Sequence, residues 1–345
     1  MLPSCSVQRF YTQQTIAPST MKASQDQQHL HHLKNITFTP IFILGLHRSG
    51  TSILYNMLAA TECFNTVTAY HLIHYDELLS HHHQQQEHTK KQVLTQTLKT
   101  QGMNDRGIDK LRITADFAEE YGFLLGKHTL QMKLIPKNLP LFTELMKKIT
   151  YLSNNNKPIL LKNPYDFSNF MYIKHVLPQA QFIFIHRHPY KTLSSSIKAL
   201  RFLLQKKNPY TTLLFRLYTQ LLRRPLLLRC LRSWFTTFYP LGIAFLTLYT
   251  AKATRSYLHH IHQLAPQDYI EITYEDLCNT PQQTIQTIID FLQIQPKQSF
   301  APASFIQPRK TSIDPGVVHL HKLIAWCMKP YFTKFQYTTT VPETT

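Results

Sequence analysis

Acidic residues are scarce: 19 Asp and Glu stand against 37 Lys and Arg in 345 residues, a formal charge of +18 with histidine neutral. That imbalance points to anionic partners, namely nucleotides, sulfated or phosphorylated groups, nucleic acid or an acidic membrane surface. The five cysteines are few, scattered and odd in number, with no Cys-x-x-Cys spacing. This argues against a zinc site or a disulfide framework and suits a reducing, cytoplasmic compartment. Met1 and Leu2 are not followed by an apolar stretch, and no run of about 18 apolar residues occurs. Neither a secretory signal nor a membrane-spanning helix is therefore expected. What the chain does have is a 43% apolar composition, enough for a large core.

Residues 1–36, rich in Gln, Ser, Thr and His, read as a flexible N-terminal arm. A single α/β domain is expected over 37–330, with a tail over 331–345. Residues 40–45 form a short apolar run stopped by a glycine, which suits a buried parallel strand. A helix over 50–60 follows, with Ile53, Leu54, Met57 and Leu58 on one face. Further strands are expected at 158–162, 181–186 and 268–273. Helices are expected at 166–177, from Pro189 to about 203, and from Pro281 to Leu292 with Thr280 as N-cap. Strands alternating with helices imply a three-layer α/β/α fold around a parallel sheet. Two segments interrupt the pattern. The His/Gln-rich stretch 81–92 reads as a solvated loop or helix face rather than a metal site. Residues 201–262, where Arg223, Arg224, Arg229 and Arg232 punctuate apolar runs, read as amphipathic helices capping the sheet, with peripheral membrane contact as the sharper alternative.

Chemistry concentrates between the first strand and its helix, at Gly45-Leu46-His47-Arg48-Ser49-Gly50-Thr51-Ser52. A strand–loop–helix junction aims backbone N–H groups at one point, and the helix N-terminus adds partial positive charge. Arg48 contributes a cation, and Thr51 and Ser52 contribute hydroxyls. A nucleoside triphosphatase would carry lysine where Thr51 stands, so a Mg-bound β/γ-phosphate pair fits poorly. Arg187 closes the strand at 181–186, and Ser195 follows eight positions later on the next helix. A guanidinium and a hydroxyl so placed converge on one anion. Lys162 ends the strand at 158–162, in the run Lys162-Asn163-Pro164-Tyr165. Tyr274-Glu275-Asp276-Leu277 follows the strand at 268–273, and Arg309-Lys310-Thr311-Ser312 lies late in the chain.

Together these segments, in this order, resemble the P-loop sulfotransferases that use 3′-phosphoadenosine 5′-phosphosulfate (PAPS). The pattern is nearest that of bacterial members related to the tyrosylprotein sulfotransferases, and it covers about 38–312. The resemblance implies a 5′-phosphosulfate loop made of His47, Arg48, Ser49, Gly50, Thr51 and Ser52. It implies a 3′-phosphate site at Arg187 and Ser195, joined by Arg309 and Lys310, and a nucleotide contact at Tyr274. It gives Lys162 and Arg48 the stabilisation of the transferring group, with PAP as product and no metal. Asn163 replaces the family's Asp, which implies a less tethered Lys162. Pro164 occupies the position where cytosolic sulfotransferases keep a catalytic His.

A general base is needed to deprotonate the acceptor. Counting from Arg48 the distance at which the tyrosylprotein enzymes place theirs lands near Ala69. His71 is the expected base because imidazole titrates near neutrality; Glu77 comes second and Asp76 third. The acceptor, a hydroxyl- or amine-bearing small molecule, lipid, glycan or protein tyrosine, is not specified, and specific nucleic-acid binding is not expected. Two alternatives stand beside sulfuryl transfer: a P-loop kinase-like phosphotransferase, and a non-catalytic nucleotide- or membrane-binding protein that retains the fold.

Overall fold

The computed structural model describes residues 24–107, 111–236, 239–295, 301–306 and 312–342. Five strands, β1 (Pro40–Leu44), β2 (Asn65–Thr66), β3 (Ile159–Lys162), β4 (Gln181–His186) and β5 (Tyr269–Thr273), pair in the order β2-β3-β1-β4-β5. All pairings are parallel, for example Ile43 opposite Lys162 and Leu44 opposite Phe184. β2 was not foreseen: two residues are too few to leave a periodic pattern.

The strands alternate cleanly. Phe42, Leu161, Phe182 and Phe184 face one core; Ile41, Ile43, Leu160, Ile183 and Ile185 face the other. Because both faces are covered, β1 is apolar throughout, as buried parallel strands are. Each fully buried Phe or Ile contributes about 1.5–3 kcal/mol.

The early helices are α1 (Thr51–Ala59), α2 (Ala69–Ile73), α3 (Leu78–His83), α4 (Glu87–Thr100), α5 (Gly122–Thr129), α6 (Leu139–Ser153) and α7 (Phe170–Val176). α8 (Pro189–Gln205), α9 (Pro209–Leu214), α10 (Arg216–Leu222), α11 (Pro225–Phe235) and α12 (Tyr239–His260) follow β4. After β5 come α13 (Tyr274–Asn279), α14 (Pro281–Leu292), α15 (Pro315–His319) and α16 (His321–Lys334). α1 and α14 pack on one face through Leu54, Met57, Leu58, Ile285, Ile288 and Ile289. α6 and α7 cover the other through Phe142, Leu145, Phe170 and Ile173. α8, α12 and α16 form a further helical core around Tyr190, Ile243 and Tyr331.

Several boundaries differ from the sequence reading. Gln25–Leu33 is a packed 3-10 turn rather than a free arm. The buried Asp26 accepts the Ser80 N–H at 2.9 Å and pairs with the buried Lys148 at 2.8 Å. Residues 1–23 lie outside the described residues. α16 runs past 330, with Tyr331 and Phe332 1% exposed, so the tail begins later. The 81–92 stretch spans the end of α3, a turn and the start of α4, yet His81 is buried. Thr280 holds the N-cap position of α14 without a side-chain cap; its hydroxyl donates to the Asp276 carbonyl. Residues 201–262 are the expected helices, α9 to α12 with the end of α8.

From β1 the sheet proceeds to β3 on one side and to β4 on the other. The carboxyl end of β1 is thus a topological switch point, where α/β proteins bind ligands. The loop 45–50 sits there.

Candidate active site

The loop leaves β1 and turns through two left-handed residues, Arg48 at φ 70° and Gly50 at φ 104°. A non-glycine residue held there stores strain, which concentrates at ligand clamps. Gly50 is required on a second count: a Cβ there would lie 2.3 Å from Cδ2 of Tyr274. Gly50, the N-cap of α1, has no side chain to cap the helix, and an uncapped helix start of this kind suits an anion. The buried Ser49 hydroxyl has no partner.

Arg48 Nε donates to Ser195 Oγ at 3.1 Å, which ties the loop to α8. Ser196 Oγ donates to the His47 carbonyl at 3.3 Å. Arg187 reaches back from the end of β4 and donates to the Arg48 carbonyl at 2.9 Å. Its guanidinium lies 4.2 Å from the Tyr274 ring centroid, and its buried Nε has no partner. Arg48, Arg187, Ser195 and Tyr274, spread over 226 positions of sequence numbering from 48 to 274, therefore meet at one place. Arg309 and Lys310 lie outside the described residues.

Lys162 ends β3 beside the loop. It is fully buried, and its ammonium donates to Ser52 Oγ at 2.8 Å and pairs with Glu120 Oε1 at 2.8 Å. The looser tether implied by Asn163 is not what the structure shows. Asn163 instead donates to Asp166 at 2.7 Å and to the Met132 carbonyl at 2.8 Å, and Glu120 supplies the anion for Lys162. Gly122 permits this close approach: a Cβ there would lie 2.6 Å from Asn163 Oδ1.

Glu120 belongs to none of the sequence motifs. It enters because the long excursion after α1 returns to the sheet, where Glu119 N–H donates to the Val67 carbonyl at 2.8 Å. Arg106 lies 3.5 Å from Glu119 Oε1 and 3.8 Å from Glu120 Oε1. Burial pushes the Glu120 carboxyl up, but Lys162 and Arg106 outweigh it and hold it below its usual range. In Glu119 burial wins and the carboxyl is raised. An adjacent Glu-Glu pair in so acid-poor a chain was the available signal.

His47 lies against the Tyr165 ring at 4.5 Å; burial lowers its pKa most, Glu120 opposes this, and Lys162 and Arg48 lower it further. His71 lies elsewhere, in the capping box of α2. Its Nδ1 accepts the Thr68 N–H at 3.1 Å, and Thr68 Oγ1 accepts the His71 N–H at 3.3 Å. Burial first, then Lys91, lowers its pKa to about 4. Glu77 sits between His74 at 3.0 Å and His81 at 3.6 Å and also accepts from Gln25. No contact among the described residues joins His71 or Glu77 to Lys162 or the loop.

The family model for the sulfotransferase family matches residues 40–298. The chain belongs to the sulfotransferase family. Among solved structures, sulfotransferase STF9 from Mycobacterium avium superposes with a TM-score of 0.61 at 14% identity, over 91% of this chain and 81% of that one. Sulfotransferase STF1 from Mycobacterium tuberculosis H37Rv gives 0.57 at 15% identity, over 88% and 80%. These likenesses concern the fold. A comparison with curated proteins gave no match.

Proposed function

We propose that this sulfotransferase moves a sulfuryl group from PAPS to a hydroxyl or amine, with Lys162 and Arg48 stabilising the transferring charge and Glu120 as the general base. The observation that carries this is the buried Lys162 ammonium, held between the Ser52 hydroxyl at the loop end of α1 and the Glu120 carboxylate. The residues fit an anionic nucleotide: the uncapped start of α1 and the unpartnered Ser49 Oγ suit the 5′ end. Arg187, with its unpartnered Nε and its stacking on Tyr274, suits the 3′-phosphate with Ser195.

In the transfer, the acceptor oxygen or nitrogen forms its bond to sulfur as the bond from sulfur to the phosphate oxygen breaks. The acceptor proton passes to Glu120, and PAP leaves carrying the electron pair of the broken bond. Such transfers have loose transition states, so positioning and charge stabilisation dominate. Lys162 meets charge growing on the bridging oxygen. Glu120, ionised because Lys162 and Arg106 outweigh its burial, is ready to take a proton. We assign the base to Glu120 over His71 and Glu77 because only Glu120 touches Lys162. The kinase-like alternative is disfavoured by Thr51, which stands where a triphosphate loop needs lysine.

Thermal shift tests the donor: a ligand that binds only the folded state raises the midpoint. PAP should stabilise the protein and Mg-ATP should not. Stabilisation by Mg-ATP alone would overturn the reading.

A further inference from the structure

The helical segment after β4 leaves many of its large apolar side chains outside the core. In α12 the buried face carries Ile243 and Tyr257 but is otherwise small or polar: Gly242, Thr247, Thr250, Ala251 and Thr254. Leu241, Phe245, Leu248 and Tyr249 recur at i, i+4, i+7 and i+8 on the outer face and are 59%, 61%, 57% and 51% exposed. The neighbouring α11 adds Leu226 at 75% and Trp234 at 44%. Eight of the twelve large apolar side chains exposed among the described residues fall between Leu217 and Tyr249. An apolar surface this concentrated marks a partner.

Charge identifies the partner. From Phe167 to Gln267 the chain contains no Asp or Glu, while residues 201–262 alone hold ten Lys and Arg. Arg223, Arg224 and Arg229 are exposed beside the α11 leucines, and Lys252 continues the α12 stripe. Apolar side chains rimmed only by cations fit an anionic lipid surface, where the former enter the acyl boundary and the latter meet headgroups. No helix among the described residues is long and apolar enough to cross a membrane, so contact would be peripheral. The stripe also leads to the loop. Burial first, then Glu120 and lastly Tyr249, pushes the Tyr165 hydroxyl up, and the Tyr165 ring rests on His47.

The geometry points to α11 and α12 as a docking face for anionic bilayers that presents a lipid-borne hydroxyl to the site beside His47. The acceptor half of this rests on the sulfuryl-transfer reading; the docking half does not.

Flotation with phosphatidylcholine vesicles, with and without phosphatidylserine, separates the two halves. Binding should require phosphatidylserine and weaken with added salt. Phe245→Glu with Leu248→Glu should lower vesicle binding at least tenfold, and Arg223→Ser with Arg224→Ser about fivefold per cation removed. All these side chains are exposed, and an unchanged thermal shift with PAP shows that each variant retains its fold and nucleotide site. No vesicle binding, or binding indifferent to these variants, overturns docking, as does light scattering in which the patch variants only convert a dimer to monomers. Labelled PAPS supplied with vesicles of extracted lipid should then label the lipid fraction. Label confined to water-soluble acceptors overturns the acceptor half.

Discussion

Replacing Glu120 by Gln keeps the shape of the side chain and removes its charge. The amide oxygen can still accept from Lys162, now 2.8 Å from the carboxylate. What disappears is the group proposed to take the acceptor proton. A positioned base contributes about 10²–10⁴-fold, or roughly 3–5 kcal/mol of barrier. The transfer rate at saturating PAPS should fall by that factor. Stability should fall by less than the 3–5 kcal/mol typical of breaking a buried pair outright, because Ser52 and the amide remain to hold the ammonium. Two measurements on one preparation decide the matter: single-turnover transfer from labelled PAPS, and the midpoint shift with PAP. A rate near wild type with PAP binding intact would refute the assignment, leaving Glu120 as a support for Lys162 alone.

Four further outcomes follow from the same geometry. His71→Ala should leave transfer within about threefold of wild type and cost about 1 kcal/mol through loss of the α2 capping box, measured by urea melts. Because its folded pKa of about 4 lies below the ordinary 6.5, His71 contributes stability that is full above pH 6.5 and lost as pH falls toward 4. The loss reaches about 2 kcal/mol by pH 5, and the variant's pH 7.5-to-5 difference should shrink accordingly. Gly50→Ala adds about 1–2 kcal/mol of left-handed strain and displaces the Tyr274 ring; its melting midpoint and PAP affinity should both drop. Arg187→Lys keeps the charge but loses the planar fork and the stacking on Tyr274, so calorimetry should show PAP binding at least tenfold weaker.

The sheet was legible because each buried strand is a short apolar run with a definite stop, as in Pro40–Leu44 and Gln181–His186. β2 was not, since its two residues are placed only by pairing with β3. The loop, Lys162, Arg187 and Tyr274 were legible because each sits at or just beyond a strand's carboxyl end, where sequence order and spatial position agree. Glu120 was not: 68 positions separate it from Ser52, and counting along the chain fails when an excursion returns to the sheet. His71 looked suitable by distance and by titration, but local backbone hydrogen bonds had already engaged its ring. Composition showed that 201–262 was amphipathic; only the structure showed that Leu226, Leu241, Phe245 and Leu248 point outward while Leu228, Ile243 and Tyr257 point in.

The role proposed for this site turns on sulfuryl transfer at Lys162. Its most direct test incubates the purified protein, and its Lys162→Ala variant, with PAPS labelled in the sulfuryl group and a cell extract. The wild-type protein should place label on an acceptor, and the variant at least a hundredfold less. Label transfer equal in both proteins would contradict it, as would no transfer from a protein that PAP fails to stabilise at millimolar concentration.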